Sequence, residues 1–326
     1  MSILQKLDNL PVLILGDVMI DRYLNGSVQR ISPEAPVPVV QHQSTEDRLG
    51  GAANVALNVQ ALGGRAWLCS IIGEDEDGQK LLEKMSEHQL PNAGIYQSKA
   101  RRTTVKTRIL GNQQQMLRID REDTHDIDQA QAEILWNKAL KIIAEESIRV
   151  IILQDYNKGV LTEWLIKKAI QDAKKAGVFT AVDPKKVHFF TYEGVNLFKP
   201  NLKEVQESMP FPVSAQLDSL QKAADFLQEK LKNQYTMLTL SENGLFLDAG
   251  KGGKCYPTIP RKISDVSGAG DTVISIAAMS LAAGMDLDTV ALLSNLAGGQ
   301  VCETPRVVPI NREKLAHELA QIQAIK

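Results

Sequence analysis

The sequence has no cysteine pair at metal-binding spacing, no long apolar run and no marked excess of one charge. Cys69, Cys255 and Cys302 are far apart and odd in number. That excludes a disulfide framework and a CxxC zinc site, and the three read as buried small apolar residues in a reducing compartment. No stretch approaches the roughly 20 apolar residues that span a bilayer. The first residues lack the apolar core and small-residue cleavage site of a signal peptide, so a cytoplasmic location is expected. A net charge of −2 argues against nucleic acid or a membrane surface as partner. The five histidines are scattered without ligand spacing. Also missing is a G-x-G-x-x-G after the first apolar strand, where Gly16-Asp-Val-Met-Ile-Asp21 puts acids in place of a pyrophosphate cradle. Gly73-Glu-Asp-Glu-Asp-Gly-Gln-Lys80 comes close to a P-loop, but four acids fill the cradle and no Ser or Thr follows the lysine. It reads as a solvated acidic loop.

What is present is an alternation of strand and helix. Val12–Leu15, Val150–Leu153, Val178–Val182 and Tyr235–Leu240 are short apolar runs of strand length. Between them lie amphipathic stretches, such as Thr162 to Gly177 with Leu165, Ile166, Ala169, Ile170 and Ala173 on one face. Another helix is expected to start at Ser214. The pattern predicts an α/β fold, a mostly parallel sheet with helices on both faces. Two regions break it. Arg30-Ile-Ser-Pro-Glu-Ala-Pro-Val-Pro-Val-Val40 is too rich in proline for a central strand. Thr103–Leu110 and Gln115–Asp120 flank a turn at Gly111-Asn112 and read as a hairpin. Together they predict a small β lid inserted at about 22–45 and 99–121.

The chemistry concentrates in Asp265-Val-Ser-Gly-Ala-Gly-Asp-Thr272, ahead of an apolar helix that ends at Gly284. A glycine turn feeding a helix start leaves N–H groups unpaired at the positive dipole end, which suits an anion. Asp271 there has two readings: a helix cap, or a general base beside N–H groups that hold a phosphoryl group. Asp17 and Asp21 follow the first strand, where open α/β sheets bind ligands, or they serve local turns. Asn54, after Gly50-Gly51 at a helix start, is either a helix-start residue or a hydroxyl-binding amide. Asn201-Leu-Lys-Glu204 is a capping box or a site for hydrated Mg²⁺. Thr239-Leu-Ser-Glu-Asn-Gly244 is a hairpin turn or a nucleotide wall. Asn295 is a satisfied amide in an apolar helix or a ligand contact.

Gly50-Gly51 with Asn54, the Gly73–Gly78 acidic loop, Asn201-x-x-Glu204 and Asp265-x-x-Gly-Ala-Gly-Asp271 occur in the order that resembles ribokinase/PfkB-type sugar kinases over essentially the whole chain, 1–326. Gly16–Tyr23, Arg30–Val39, Asp155-Tyr-Asn-Lys-Gly159 and Asp183-Pro-Lys185 are most similar to the subgroup acting on heptose 7-phosphate. The resemblance implies ATP and Mg²⁺ as cofactors, a sugar phosphate as substrate, and a homodimer clasped through the lid. It implies Asp271 as base, with Gly268, Ala269 and Gly270 as the anion hole. Asn201, Leu202, Lys203 and Glu204 would serve ATP–Mg²⁺, with Thr239, Ser241, Gly244 and Asn295 near the nucleotide. Asp17, Asp21, Gly51 and Asn54 would bind the sugar. Arg108, Lys158 and Lys185 are candidates for the substrate's own phosphate, by their placement in the lid and at strand ends. The segment Leu296–Arg306 departs from the family's usual adenine-side pattern. In many relatives a nucleotidyltransferase domain follows, so the expectation is a stand-alone kinase or the kinase half of a longer protein.

Overall fold

The computed structural model describes residues 3–325. In chain order the elements are β1 (Pro11–Gly16), β2 (Val18–Ile31), β3 (Pro38–Gly51), α1 (Ala52–Ala61), β4 (Arg65–Gly73), α2 (Glu76–Glu87), β5 (Ile95–Ser98), β6 (Val105–Gly111), β7 (Gln114–Arg121), α3 (Gln129–Glu146) and β8 (Val150–Gln154). Then come α4 (Glu163–Ala176), β9 (Phe179–Asp183), β10 (Leu197–Phe198), α5 (Leu202–Ser208), α6 (Leu217–Leu231), β11 (Tyr235–Thr239), β12 (Leu245–Asp248), β13 (Lys254–Tyr256), α7 (Ala269–Ala282), α8 (Leu287–Cys302) and α9 (Arg312–Ile325).

The large sheet has the order β13-β12-β11-β10-β9-β8-β1-β4-β5. It is parallel except where β12 pairs with β11 and β13. The inner strands are continuous apolar runs because both faces are covered. On β1 the side chains alternate, as the pleat requires. Val12 and Ile14 face the core built with α1, α7 and α8, while Leu13 and Leu15 face the one built with α3, α4 and α6. Thr162 caps α4 through the Leu165 N–H, and Gly177 ends it at φ 66°. α6 starts at Leu217 rather than at Ser214, whose N–H goes instead to Ser219 Oγ at 2.9 Å.

The second sheet, β3-β2-β6-β7, is the small one, and its strands are longer than the proline-rich reading allowed. Pro33 and Pro36 fall in the turn and Pro38 starts β3, so no proline interrupts the ladder. β2 begins one residue after β1 ends, and α1 begins directly after β3. The chain therefore crosses between the sheets at Asp17 and again at Gly51-Ala52.

Two further expectations fail outside the site. The acidic loop is not merely solvated. Asp75 caps α2 and also holds Thr103, and the buried Asp77 pairs with Arg22 and Arg121, both at 2.9 Å. Lid arginines draw these acids inward, so the loop joins core to lid. Cys255 is exposed on β13, whereas Cys69 and Cys302 are buried. Among the described residues, no helix is long and apolar enough to cross a membrane.

Candidate active site

Gly268 turns the chain into α7 with φ 83°, and no side chain caps that helix. A Cβ at Gly268 would lie 3.0 Å from Asn54 Nδ2, so the glycine also admits the amide beside it. Asp271, in the first turn, does not cap. Its Oδ2 accepts from Asn54 Nδ2 at 2.8 Å, and its Oδ1 accepts from the Tyr156 hydroxyl at 2.6 Å and Gln154 Nε2 at 3.1 Å. Burial pushes the carboxyl pKa up to about 6, against Asn54 and Tyr156, which favour the charged form; Asp183 adds to the rise and Lys199 opposes it. At neutral pH the group is an ionised base of raised basicity, at a helix N-terminus whose N–H groups suit an anion.

On one side lie the ends of β1 and β3. Asp17 is 1% exposed, and its carboxylate accepts from the N–H groups of Tyr156 (2.8 Å), Lys158 (3.1 Å) and Val160 (3.1 Å). Burial and the nearby Asp155 raise its pKa to about 6 against those bonds. These donors come from a distant loop, so Asp17 does not make a local turn of its own. Its carbonyl takes the Ala52 N–H at 2.9 Å, and a Cβ on Gly51 would meet that carbonyl at 2.4 Å. Asp17, Gly51, Asn54 and Asp271 are thus brought together.

On the other side, a Cβ on Gly270 would come 3.4 Å from Asp183 Oδ2 and 4.0 Å from Lys199 Nζ. Lys199 and Asp183 are a buried pair at 3.1 Å. Lys185 lies beside Asp183 and is hydrogen-bonded to Glu204 Oε1. Asn201 and Glu204 form the capping box in full, Glu204 N–H to Asn201 Oδ1 at 2.9 Å and Asn201 N–H to Glu204 Oε2 at 2.8 Å. The Thr239 N–H donates to the Pro200 carbonyl at 3.1 Å, which sets the β11–β12 turn alongside. Asn295 Nδ2 donates to the Tyr256 and Pro257 carbonyls, and a Cβ on Gly244 would strike the same Tyr256 oxygen at 2.1 Å.

The description "pfkB family carbohydrate kinase" matches residues 10–313. The chain belongs to the pfkB family. It is a sugar kinase. The chain is 39% identical over 314 residues to a protein named Bifunctional protein HldE from Methylobacillus flagellatus, covering 96% of this chain and 64% of that one. It is 40% identical over 311 residues to one of the same name from Shewanella piezotolerans, covering 95% and 63%. The chain spans less than two thirds of the length of these relatives. The crystal structure of phosphofructokinase-2 from Escherichia coli in complex with potassium superposes with a TM-score of 0.79 at 17% identity, covering 97% of this chain and 99% of that one.

Within this pfkB kinase, some expected residues lie away from the centre. Leu202 packs on the second core, and the exposed Lys203 has Glu207 at 3.8 Å. Of residues 201–204, only the side chains of Asn201 and Glu204 take part in the network of the site. Ala269 packs on the first core, and Ser241, at φ 53°, opens the turn after β11. The three proposed phosphate cations each hold a carboxylate: Arg108 has Asp21 at 2.5 Å, Lys158 has Glu122 at 2.7 Å, and Lys185 has Glu204. Four central residues were given no role from sequence: Gln154, Tyr156, Asp183 and Lys199. Gln154 and Asp183 end β8 and β9, Lys199 follows β10 and Tyr156 lies two residues past β8, and that position at strand ends was their available signal.

Proposed function

We propose that this kinase transfers the γ-phosphoryl group of ATP to the anomeric hydroxyl of D-glycero-β-D-manno-heptose 7-phosphate, giving the 1,7-bisphosphate. The observation that carries the reading is the 39–40% identity to HldE proteins over 95–96% of the chain. In the proposed reaction Asp271 takes the hydroxyl proton as the sugar oxygen bonds to phosphorus and the bond to ADP breaks. The N–H groups of Gly268 and Gly270 hold charge on the moving phosphoryl group, while that of Ala269 donates to the Val266 carbonyl at 3.3 Å. Asp17, Gly51 and Asn54 orient sugar hydroxyls. Asn201, Glu204, Thr239, Ser241, Gly244 and Asn295 line the nucleotide side, and Lys199 adds positive charge there; Lys185, first a candidate for the substrate's own phosphate, joins that side through its bond to Glu204. Arg108 and Lys158 would exchange their carboxylate partners for the substrate's own phosphate.

Mg²⁺ takes one or two carboxylates together with substrate phosphates and water. Glu204, beside Lys185 and close to Lys199 and Asp183, is a donor of that kind. When bound, the ion neutralises phosphate charge. The lid is the proposed dimer clasp, since Ile31, Leu117 and Ile119 expose 60%, 54% and 51% of their surface. A cytoplasmic location accompanies this reading.

The test is a panel of heptose 7-phosphate, fructose 6-phosphate and ribose with ATP, comparing kcat/KM and reading products by phosphorus NMR. A new anomeric phosphate formed fastest on heptose 7-phosphate is the expected result. Preference for either other sugar would overturn the substrate assignment.

A further inference from the structure

Asp271 receives donors from three places: Asn54 on α1, Gln154 at the end of β8, and Tyr156 in the loop beyond it. The Tyr156 bond is the shortest, 2.6 Å, as expected when a hydroxyl meets an ionised carboxylate. We propose that Tyr156 is a positioning residue for the base, its phenol fixing the direction of Asp271 Oδ1 and stabilising the charged carboxylate. This rests on the reading of Asp271 as the base.

The charged groups facing this pair come from several elements, and Lys185 Nζ lies 5.7 Å from the centre of the Tyr156 ring. Asp183, from the end of β9, disfavours the Asp271 anion, and Lys199, from beyond β10, favours it. Asp183 and Asp21 both act on Tyr156. Burial and the Asp271 charge push the phenol well above its ordinary range, so it remains a donor at working pH. Gln154 is a weaker second donor at 3.1 Å, and its own Oε1 is buried without a partner.

Tyr156 also touches a second buried acid, Asp17, but with a different group. Its backbone N–H donates to Asp17 Oδ2 at 2.8 Å, while its phenol goes to Asp271. Tyr156→Phe therefore removes one bond to Asp271 and leaves the Asp17 bond in place.

The experiment is a carbon-13 NMR titration of the aspartate-labelled 326-residue chain, with Asp271→Asn assigning the resonance. In Tyr156→Phe the Asp271 midpoint should rise by about one pH unit, the scale of a charge-assisted hydrogen bond. Asp17 should hold its midpoint. The acid limb of kcat/KM should move up with Asp271, and turnover in the variant should recover at high pH. An Asp271 midpoint that stays put in a folded Tyr156→Phe protein overturns the proposal. Turnover surviving in Asp271→Asn would instead sink the base assignment, and the titration would still report on Tyr156.

Discussion

Asp271→Asn separates the chemical role of this residue from its energetic one. Burial raises the Asp271 pKa from 3.8 to about 6. The folded state thus binds its proton more tightly than the unfolded state does. Between these two pKa values the folded state holds more protons, so the contribution of Asp271 to stability falls as pH rises. The full loss is about 3 kcal/mol, at 1.36 kcal/mol per unit, and about half of it falls above pH 5. Asparagine has no such titration. It does set an NH₂ group against one of the donors around the site, which costs about 1–3 kcal/mol unless Asn54 rotates its amide. That offset does not depend on pH. The stability of the variant relative to the natural protein should therefore climb with pH by about 1.4 kcal/mol between pH 5 and 8. Urea unfolding of both proteins across that range measures it. Turnover should meanwhile fall by at least about 100-fold. A stability difference that is flat in pH would refute the claim that Asp271 is an unusually desolvated carboxylate.

Three other outcomes are expected. Asp183→Asn leaves Lys199 buried without its counter-charge and should lower unfolding free energy by about 3–5 kcal/mol at pH 7; a loss below about 1 kcal/mol would mean that the lysine finds water. Asn201→Ala should remove about 1 kcal/mol of helix capping and raise KM for ATP, and an unmoved KM would confine Asn201 to its cap. Leu117→Asp, on the exposed face of β7, should shift a dimer toward monomer in light scattering at several concentrations, with unchanged mass counting against the lid as clasp.

The α/β core was readable because each of its signals is local. Inner strands buried on both faces must be continuous apolar runs, and α4 carries both its cap and its terminal glycine in sequence. The lid bounds were less readable. Proline marks the turn between β2 and β3, while the strands reach 18 and 51 through residues whose pairing depends on contacts far along the chain. The same limit applies within the site. The glycine turn before Asp271 is visible locally, but the donors to its carboxylate come from positions 54, 154 and 156. The acids of the 73–80 loop look solvated until Arg22 and Arg121 are folded against Asp77. Arg108, Lys158 and Lys185 look like free cations until their partners Asp21, Glu122 and Glu204 arrive.

Asp17 holds the architecture together and keeps acceptor capacity for the ligand proposed above. The chain passes from core to lid through Asp17 and returns at Gly51-Ala52, and the Ala52 N–H bond to the Asp17 carbonyl ties the crossings together. Its carboxylate then secures the 156–160 loop with three amide bonds, the loop that also brings Tyr156 to Asp271. An ionised carboxylate offers about four lone-pair sites. Two of the amides share Oδ2 and one reaches Oδ1, so acceptor capacity is left on Oδ1. Structural anchoring and hydroxyl binding are therefore not rival readings of Asp17. The anchoring bonds come from the same loop that brings the Tyr156 hydroxyl to Asp271 Oδ1.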